Sequence, residues 1–259
     1  MPPLKSILVM ADRSADAQVA LQKAFVIARH FDAGIELVAC DADQAWTART
    51  ASRPEEGARA RVARSAESRR FLEALRSTIV VDDLQIRTGE DCEEPLHEGL
   101  PRRVRAGGHH LVVKRLPRRE VRRRSVLTPG DWQVIRACPV PIMLTRGRPW
   151  RPLPRIVASL DGARTGEVVD VARYLADGCR GALEVVPADE PRAIAADGGE
   201  ADPAAMLLAR PAHQEIDVVV LRGCGHRPEQ DRACAALTER IVEQLDCDVL
   251  LMPGPGVAH

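Results

Sequence analysis

A chain of 259 residues, 45% of them hydrophobic, can bury either one large core or two small ones. Its 37 basic and 37 acidic side chains cancel, which excludes a long-range field drawing the whole molecule onto nucleic acid or an acidic membrane; any such affinity must be local. Seven cysteines without a C-x-x-C pair exclude a disulfide framework and a cysteine-based zinc site and imply a reducing compartment. Met1 to Ser6 has no charged segment leading into an apolar leader and no apolar run reaches membrane-spanning length, so a cytoplasmic location is expected.

In chain order, Leu4 to Asp12 is a short apolar strand ending on an aspartate, and Ala17 to Phe31 follows with Leu21, Phe25 and Ala28 on one helical face. Ile35 to Cys40 reads as a second buried strand. Glu55 to Leu75, rich in Ala, Arg and Glu, predicts a long exposed helix; Leu84 to Arg87 predicts a short strand and Pro95 to Val104 a weak helix. Leu111 to Lys114 is a strand again, then a polar stretch, then a helix opened by Thr128 as N-cap, Pro129 at the first helical position and Asp131 as the carboxylate at the third. Val140 to Leu144 closes this half.

The outline then starts over. Leu153 to Asp161 repeats the strand ending on an aspartate, Gly166 to Leu175 the helix, and Ala182 to Val186 the second strand. Val218 to Arg222 matches the Leu111 strand, Pro228 to Leu245 is continuously helix-favouring, and Asp248 to Met252 closes the chain. Strands alternating with helices predict mainly parallel sheets covered by helices, an α/β class with two Rossmann-like units. Gly and Pro around Trp150 mark a linker, so the expected domains are residues 1–148 and 151–259, with the boundary near Pro149. Only about thirty residues separate Val186 from Val218, where about seventy separate Cys40 from Leu111, so the second domain should lack a strand and a helix, keeping a reduced counterpart near residues 202–213.

Ala106 to Lys114 and Leu127 to Leu144 carry a specific likeness: the chain resembles the universal stress protein family, above all its tandem E-type members. The resemblance implies a five-stranded Rossmann-like (adenine-nucleotide alpha hydrolase-like) sheet per domain, two domains paired through their last strands, and ATP bound by some members and not by others. The binding members carry G-x2-G-x9-G-[ST] after the fourth strand. Glycines there let backbone amides approach the phosphates, and the hydroxyl residue opens a helix whose N-terminus attracts negative charge. Matched position by position, this chain has Lys114, Pro117, Leu127 and Thr128 in the first half and Arg222, Gly225, Ala235 and Ala236 in the second; only Thr128 and Gly225 meet the requirement. The motif is degenerate in both halves.

Asp12 and Asp161, at the ends of first strands, stand where doubly wound sheets place ligand groups and where the family's binding members use an aspartate near the adenosine; each reads equally as a turn or cap residue. From Arg102 to Arg124 ten basic residues face one acid, Glu120, and Arg115, Arg118, Arg119 and Arg122 to Arg124 fall where a loop would cover phosphates. The candidate ligand-binding residues are thus Asp12, Lys114, Arg115, Arg118, Thr128, Asp161, Arg222 and Gly225. Gly223-Cys224-Gly225 lacks the rest of a dinucleotide fingerprint and reads as a turn. No nucleophile elbow or paired catalytic carboxylates occur, and His109, His110, His213 and His226 form no metal pattern, so neither a catalytic nor a metal residue is assigned. The expectation is a non-enzymatic stress-response or regulatory protein forming an intramolecular pseudo-dimer, with homodimerisation also open and no cofactor assigned. The alternatives are ATP or another phosphorylated ligand retained in one half, or a polyanion held by Arg115 to Arg124; few aromatics for base stacking speak against nucleic acid.

Overall fold

The computed structural model describes residues 3–13, 18–39, 54–89, 96–116, 126–159, 165–186, 207, 215–223 and 228–254. Apolar runs form the strands: β1 (Ser6–Ala11), β2 (Gly34–Ala39), β3 (Ile86–Thr88), β4 (Leu111–Arg115), β5 (Ile142–Thr145), β6 (Arg155–Ser159), β7 (Ala182–Val186), β8 (Val218–Leu221) and β9 (Asp248–Leu251). Between them stand α1 (Val19–Phe31), α2 (Pro54–Thr78), α3 (Leu96–Gly107), α4 (Pro129–Ala137), α5 (Thr165–Gly178) and α6 (Pro228–Gln244). The fold is α/β, and the nine strands among the described residues lie in one sheet of order β3-β2-β1-β4-β5-β9-β8-β6-β7.

Every pairing is parallel except one. β5 and β9 run antiparallel, Ile142 opposite Leu251, Met143 opposite Leu250 and Leu144 opposite Val249. To one side the order is 3-2-1-4-5; to the other, strands β6, β7, β8 and β9 repeat the 1, 2, 4 and 5 positions. Among the described residues no tenth strand, equivalent to β3, pairs outside β7. Central strands buried on both faces are continuously apolar, as parallel sheets require: Ile7, Leu8, Val9, Val112, Val113, Val218, Val219 and Val220 are all fully or almost fully excluded from water.

The alternation of side chains divides the core in two. Ile7, Val9, Ile35 and Val113 meet α1, α2 and α5 on one face, through Leu21, Ile27, Leu72, Val171 and Leu175. Leu8, Met10, Val112 and Val219 meet α3, α4 and α6 on the other, through Leu100, Val104, Trp132, Ile135 and Ile241. Both halves also stop their first helix alike. Asp32 and Arg180 adopt left-handed backbone with φ of 50 and 52°, and the next amides, of Ala33 and Gly181, return to the carbonyls of Ala28 and Ala176 at 3.0 and 2.8 Å.

Among the described residues the strands and helices differ from the sequence reading at their ends. β5 begins at Ile142, later than Val140, because Pro141 has no N–H to give to the ladder and supplies only its carbonyl, to Val112 N at 3.0 Å. α3 runs on to Gly107, and β3 is displaced to Ile86–Thr88. α6 starts at Pro228, as its Pro at the helix start predicts. The expected counterpart at residues 202–213 lies outside the described residues except Leu207, which is buried in the second core.

Beneath α3 sits a buried polar cluster. Glu36 on β2 accepts from Arg103 Nε at 2.7 Å and pairs with Arg87 Nε at 2.7 Å. His109 Nδ1 lies 2.8 Å from Ser6 Oγ; its Nε2, 3.6 Å from Glu36 Oε2, has no hydrogen-bond partner. Burial, reinforced by Arg87, Arg103 and His110 and opposed by Glu36, pushes His109 down to about 4 from an ordinary 6.5. The imidazole is therefore neutral near pH 7.

Candidate functional site: the crevice between the first and fourth strands

In a sheet of order 3-2-1-4-5 the helix leaving β1 and the helix leaving β4 cover opposite faces, so a crevice opens beyond the carboxyl ends of these adjacent strands. Here α1 takes one face and α4 the other. Asp12 follows β1, and Lys114 and Arg115 end β4, which pairs with β1 through Met10 and Lys114. Thr128 caps α4 across the crevice. Four of the eight candidate residues are thereby brought to one place.

They are already partnered. Arg115 Nη1 donates to Asp12 Oδ2 at 2.7 Å, and Gln18 brackets the Asp12 backbone, accepting from its N–H at 3.2 Å and donating to its carbonyl at 2.7 Å. Lys114 Nζ lies 2.8 Å from Asp131 Oδ1. The other oxygen, Oδ2, accepts from the Thr128 amide and from the Thr128 hydroxyl, each at 2.8 Å, while the Asp131 amide returns to Thr128 Oγ1 at 3.2 Å. This is the reciprocal capping box that the Thr128 to Asp131 spacing predicts. Burial works to raise Asp131, but Lys114 and the two Thr128 donors outweigh it and hold the carboxyl below its ordinary range.

The chemical consequence is self-neutralisation. A phosphate at this position would need an approachable backbone at residue 114, a cation and the N-terminal amides of α4. Residue 114 instead carries a side chain turned onto Asp131, and Asp131 supplies the helix N-terminus with a negative charge of its own. Arg13, next to Asp12, leans away to α2, bonding Ser68 Oγ, lying 3.5 Å from Glu67 and stacking its guanidinium 5.6 Å from the Phe71 ring centre.

In the second half, Arg222 follows β8 half-buried, its carbonyl 3.5 Å from Cys234 Sγ. Gly223 is required for close approach: a Cβ there would overlap the carbonyl oxygen of Met252. Six residues, 222–227, separate β8 from α6, against thirteen, 116–128, between β4 and α4. Arg118, Asp161 and Gly225 lie outside the described residues, as does the basic stretch 117–125. Among the described residues no three His, Cys, Asp or Glu side chains gather as a metal would require, and no helix is long and apolar enough to cross a membrane.

Two polar groupings escaped the sequence reading. Asp131 was legible as a cap, but not as the partner of Lys114. Lys23 and Asp248, 6% and 1% exposed at their side chains, form a 2.8 Å ion pair between α1 and β9; the only sequence sign was a charged residue inside each apolar pattern.

Comparison with known proteins agrees with the geometry. The model of the universal stress protein family matches residues 3–146. Universal stress protein E of Photorhabdus laumondii is 25% identical over 150 residues, covering 58% of this chain and 48% of that protein. Universal stress protein E of Escherichia coli K12 is 34% identical over 53 residues, 20% of this chain and 17% of that one. The chain thus spans about half or less of the length of these relatives. A functionally unknown protein from Pseudomonas aeruginosa superposes with a TM-score of 0.65 at 21% identity, covering 98% of this chain and 94% of its own. A universal stress protein from Archaeoglobus fulgidus gives 0.64 at 8% identity, with 97% of each chain covered. At such identities the two structures speak to the fold, while the family model spans more than half of the 259 residues: the chain belongs to the universal stress protein family.

Proposed function

We propose that the chain is a non-enzymatic, cytoplasmic stress-response or regulatory protein made of two domains, residues 1–148 and 151–259, that pair within one chain, and that its first nucleotide position is closed by its own charges. The observation carrying this reading is the Lys114–Asp131 ion pair at 2.8 Å, made at the mouth of α4 by a carboxylate that also takes both Thr128 donors. Opening the site to a triphosphate means separating that pair and setting a polyanion beside Asp131, a like-charge contact. Arg115, the described start of the basic run, is committed to Asp12 in the same way. A hydrolase working here would need Lys114 and the α4 amides directed at the scissile phosphate; Lys114 faces Asp131 instead, and the Asp131 amide is taken by Thr128 Oγ1.

Equilibrium dialysis of the full chain against labelled ATP tests the reading. The expected result is no retention at nucleotide concentrations up to about 1 mM, weaker than about −4 kcal/mol of binding. Stoichiometric retention, or release of phosphate, would overturn it.

A further inference from the structure

The contact between the closing strands is close to self-complementary. Ile7 pairs with Leu111 as Ile156 pairs with Val218, and Val112 stands beside Ile142 as Val219 stands beside Val249. Ile142, Met143 and Leu144 therefore correspond to Val249, Leu250 and Leu251. Exchanging the halves returns the same contacts, about a pseudo-dyad through the Met143–Leu250 pair. As far as backbone and apolar surface go, β5 could pair with β5 of a second copy as readily as with its own β9.

The polar groups break this symmetry. Asp248 corresponds to Pro141, which has no charge to offer. Its carboxylate is fully satisfied: Oδ1 accepts from Arg146 N at 2.6 Å, and Oδ2 from Trp150 Nε1 at 2.6 Å and Lys23 Nζ at 2.8 Å. Lys23 donates also to the Arg148 carbonyl at 2.6 Å and lies 5.2 Å over the Trp150 ring. One network thus ties α1 of the first half, the linker and β9 of the second. A β5–β5 contact would leave Lys23 buried opposite Pro141 with no carboxylate.

We propose that Lys23, Trp150 and Asp248 form a partner-selection lock, which directs β5 to the second half of its own chain and disfavours β5 of another copy. The inference goes beyond the closed-site reading and shares with it only the pairing of two halves. A buried ion pair suits this role better than it suits stabilisation, because desolvation consumes most of its attraction while an unpaired buried charge is heavily penalised. Consistently, burial leaves Asp248 above its ordinary carboxylate range even though Lys23, the Arg146 amide and Trp150 all oppose it.

Disulfide trapping in the full chain tests the lock, each variant compared with its parent so that native thiols cancel, and each bond assigned by peptide mapping. With Lys23 and Asp248 intact, Met143→Cys/Leu250→Cys should close within one chain, and Met143→Cys alone should give no covalent dimer through position 143. Adding Lys23→Met and Asp248→Leu should keep the chain folded with an undiminished melting temperature. Met143→Cys should then yield a disulfide between positions 143 of two copies that rises with protein concentration, where the parent with Lys23 and Asp248 intact gives none. Trapping accumulates this species although the linker sets an effective concentration on the order of millimolar for the internal pairing. Absence of the dimer at every concentration would overturn the lock, leaving the tether to choose the partner. Unfolding of the apolar double variant would overturn it as well, by making the pair a source of stability. Failure of Met143→Cys/Leu250→Cys to close would instead refute the strand pairing beneath both readings.

Discussion

Acidification should weaken the protein through one imidazole. His109 is held neutral beneath α3, its side chain 0% exposed, at about 4 against an ordinary 6.5. Because the folded value is the lower one, the unfolded chain binds more protons between these two pH values, so the stabilisation is complete above pH 6.5 and is lost as pH falls towards 4. A fall from 6.5 to about 4, at about 1.4 kcal/mol per pH unit, gives an upper bound of about 3–4 kcal/mol, of which about 2 kcal/mol should be gone by pH 5. Glu36 attracts a charge on the ring while Arg87, Arg103 and His110 repel it, and carboxylates elsewhere in the chain also respond to acid. The assay must therefore be a difference: urea unfolding of the native chain and of His109→Asn at pH 7.5, 6 and 5. Asn keeps an amide for Ser6 without a titratable proton. The native chain should lose about 2 kcal/mol more than the variant between pH 7.5 and 5. Equal losses in both would refute the claim that His109 is buried as the neutral base.

The other expectations are local. Asp131→Ala removes the reciprocal cap of α4 and leaves Lys114 without its carboxylate, which should lower stability by about 1–3 kcal/mol in urea unfolding; a loss below about 0.5 kcal/mol would mean that the box adds nothing. Gly223→Ala must push the chain after β9 off β8, and a loss of about 2 kcal/mol or more is expected in thermal unfolding, with a neutral result placing Met252 elsewhere.

What could be read in the sequence was what is short in range. Leu4 to Asp12 and Leu153 to Asp161 announce equivalent strands because their apolar runs are continuous, and Thr128-Pro129-x-Asp131 announces a helix start because the cap closes within four residues. Boundaries failed where backbone chemistry overrules hydropathy, as at Pro141. The site's state was not legible, because it depends on partners far apart in the chain: Asp12 and Arg115 lie 103 positions apart, and the lock joins residues 23 and 248. The degenerate motif at Lys114 could be recognised, but not that Asp131 would engage that lysine across the crevice.

The most direct measurement of the self-neutralised site uses the scarcity of lysine, for the chain has only Lys5, Lys23 and Lys114. Acetylation rates read residue by residue by mass spectrometry should fall in the order Lys5, Lys114, Lys23, following side-chain exposures of 58%, 20% and 6%. Addition of ATP should leave the Lys114 rate unchanged. A Lys114 that reacts as fast as Lys5, or that ATP protects, would contradict a crevice closed by Asp131.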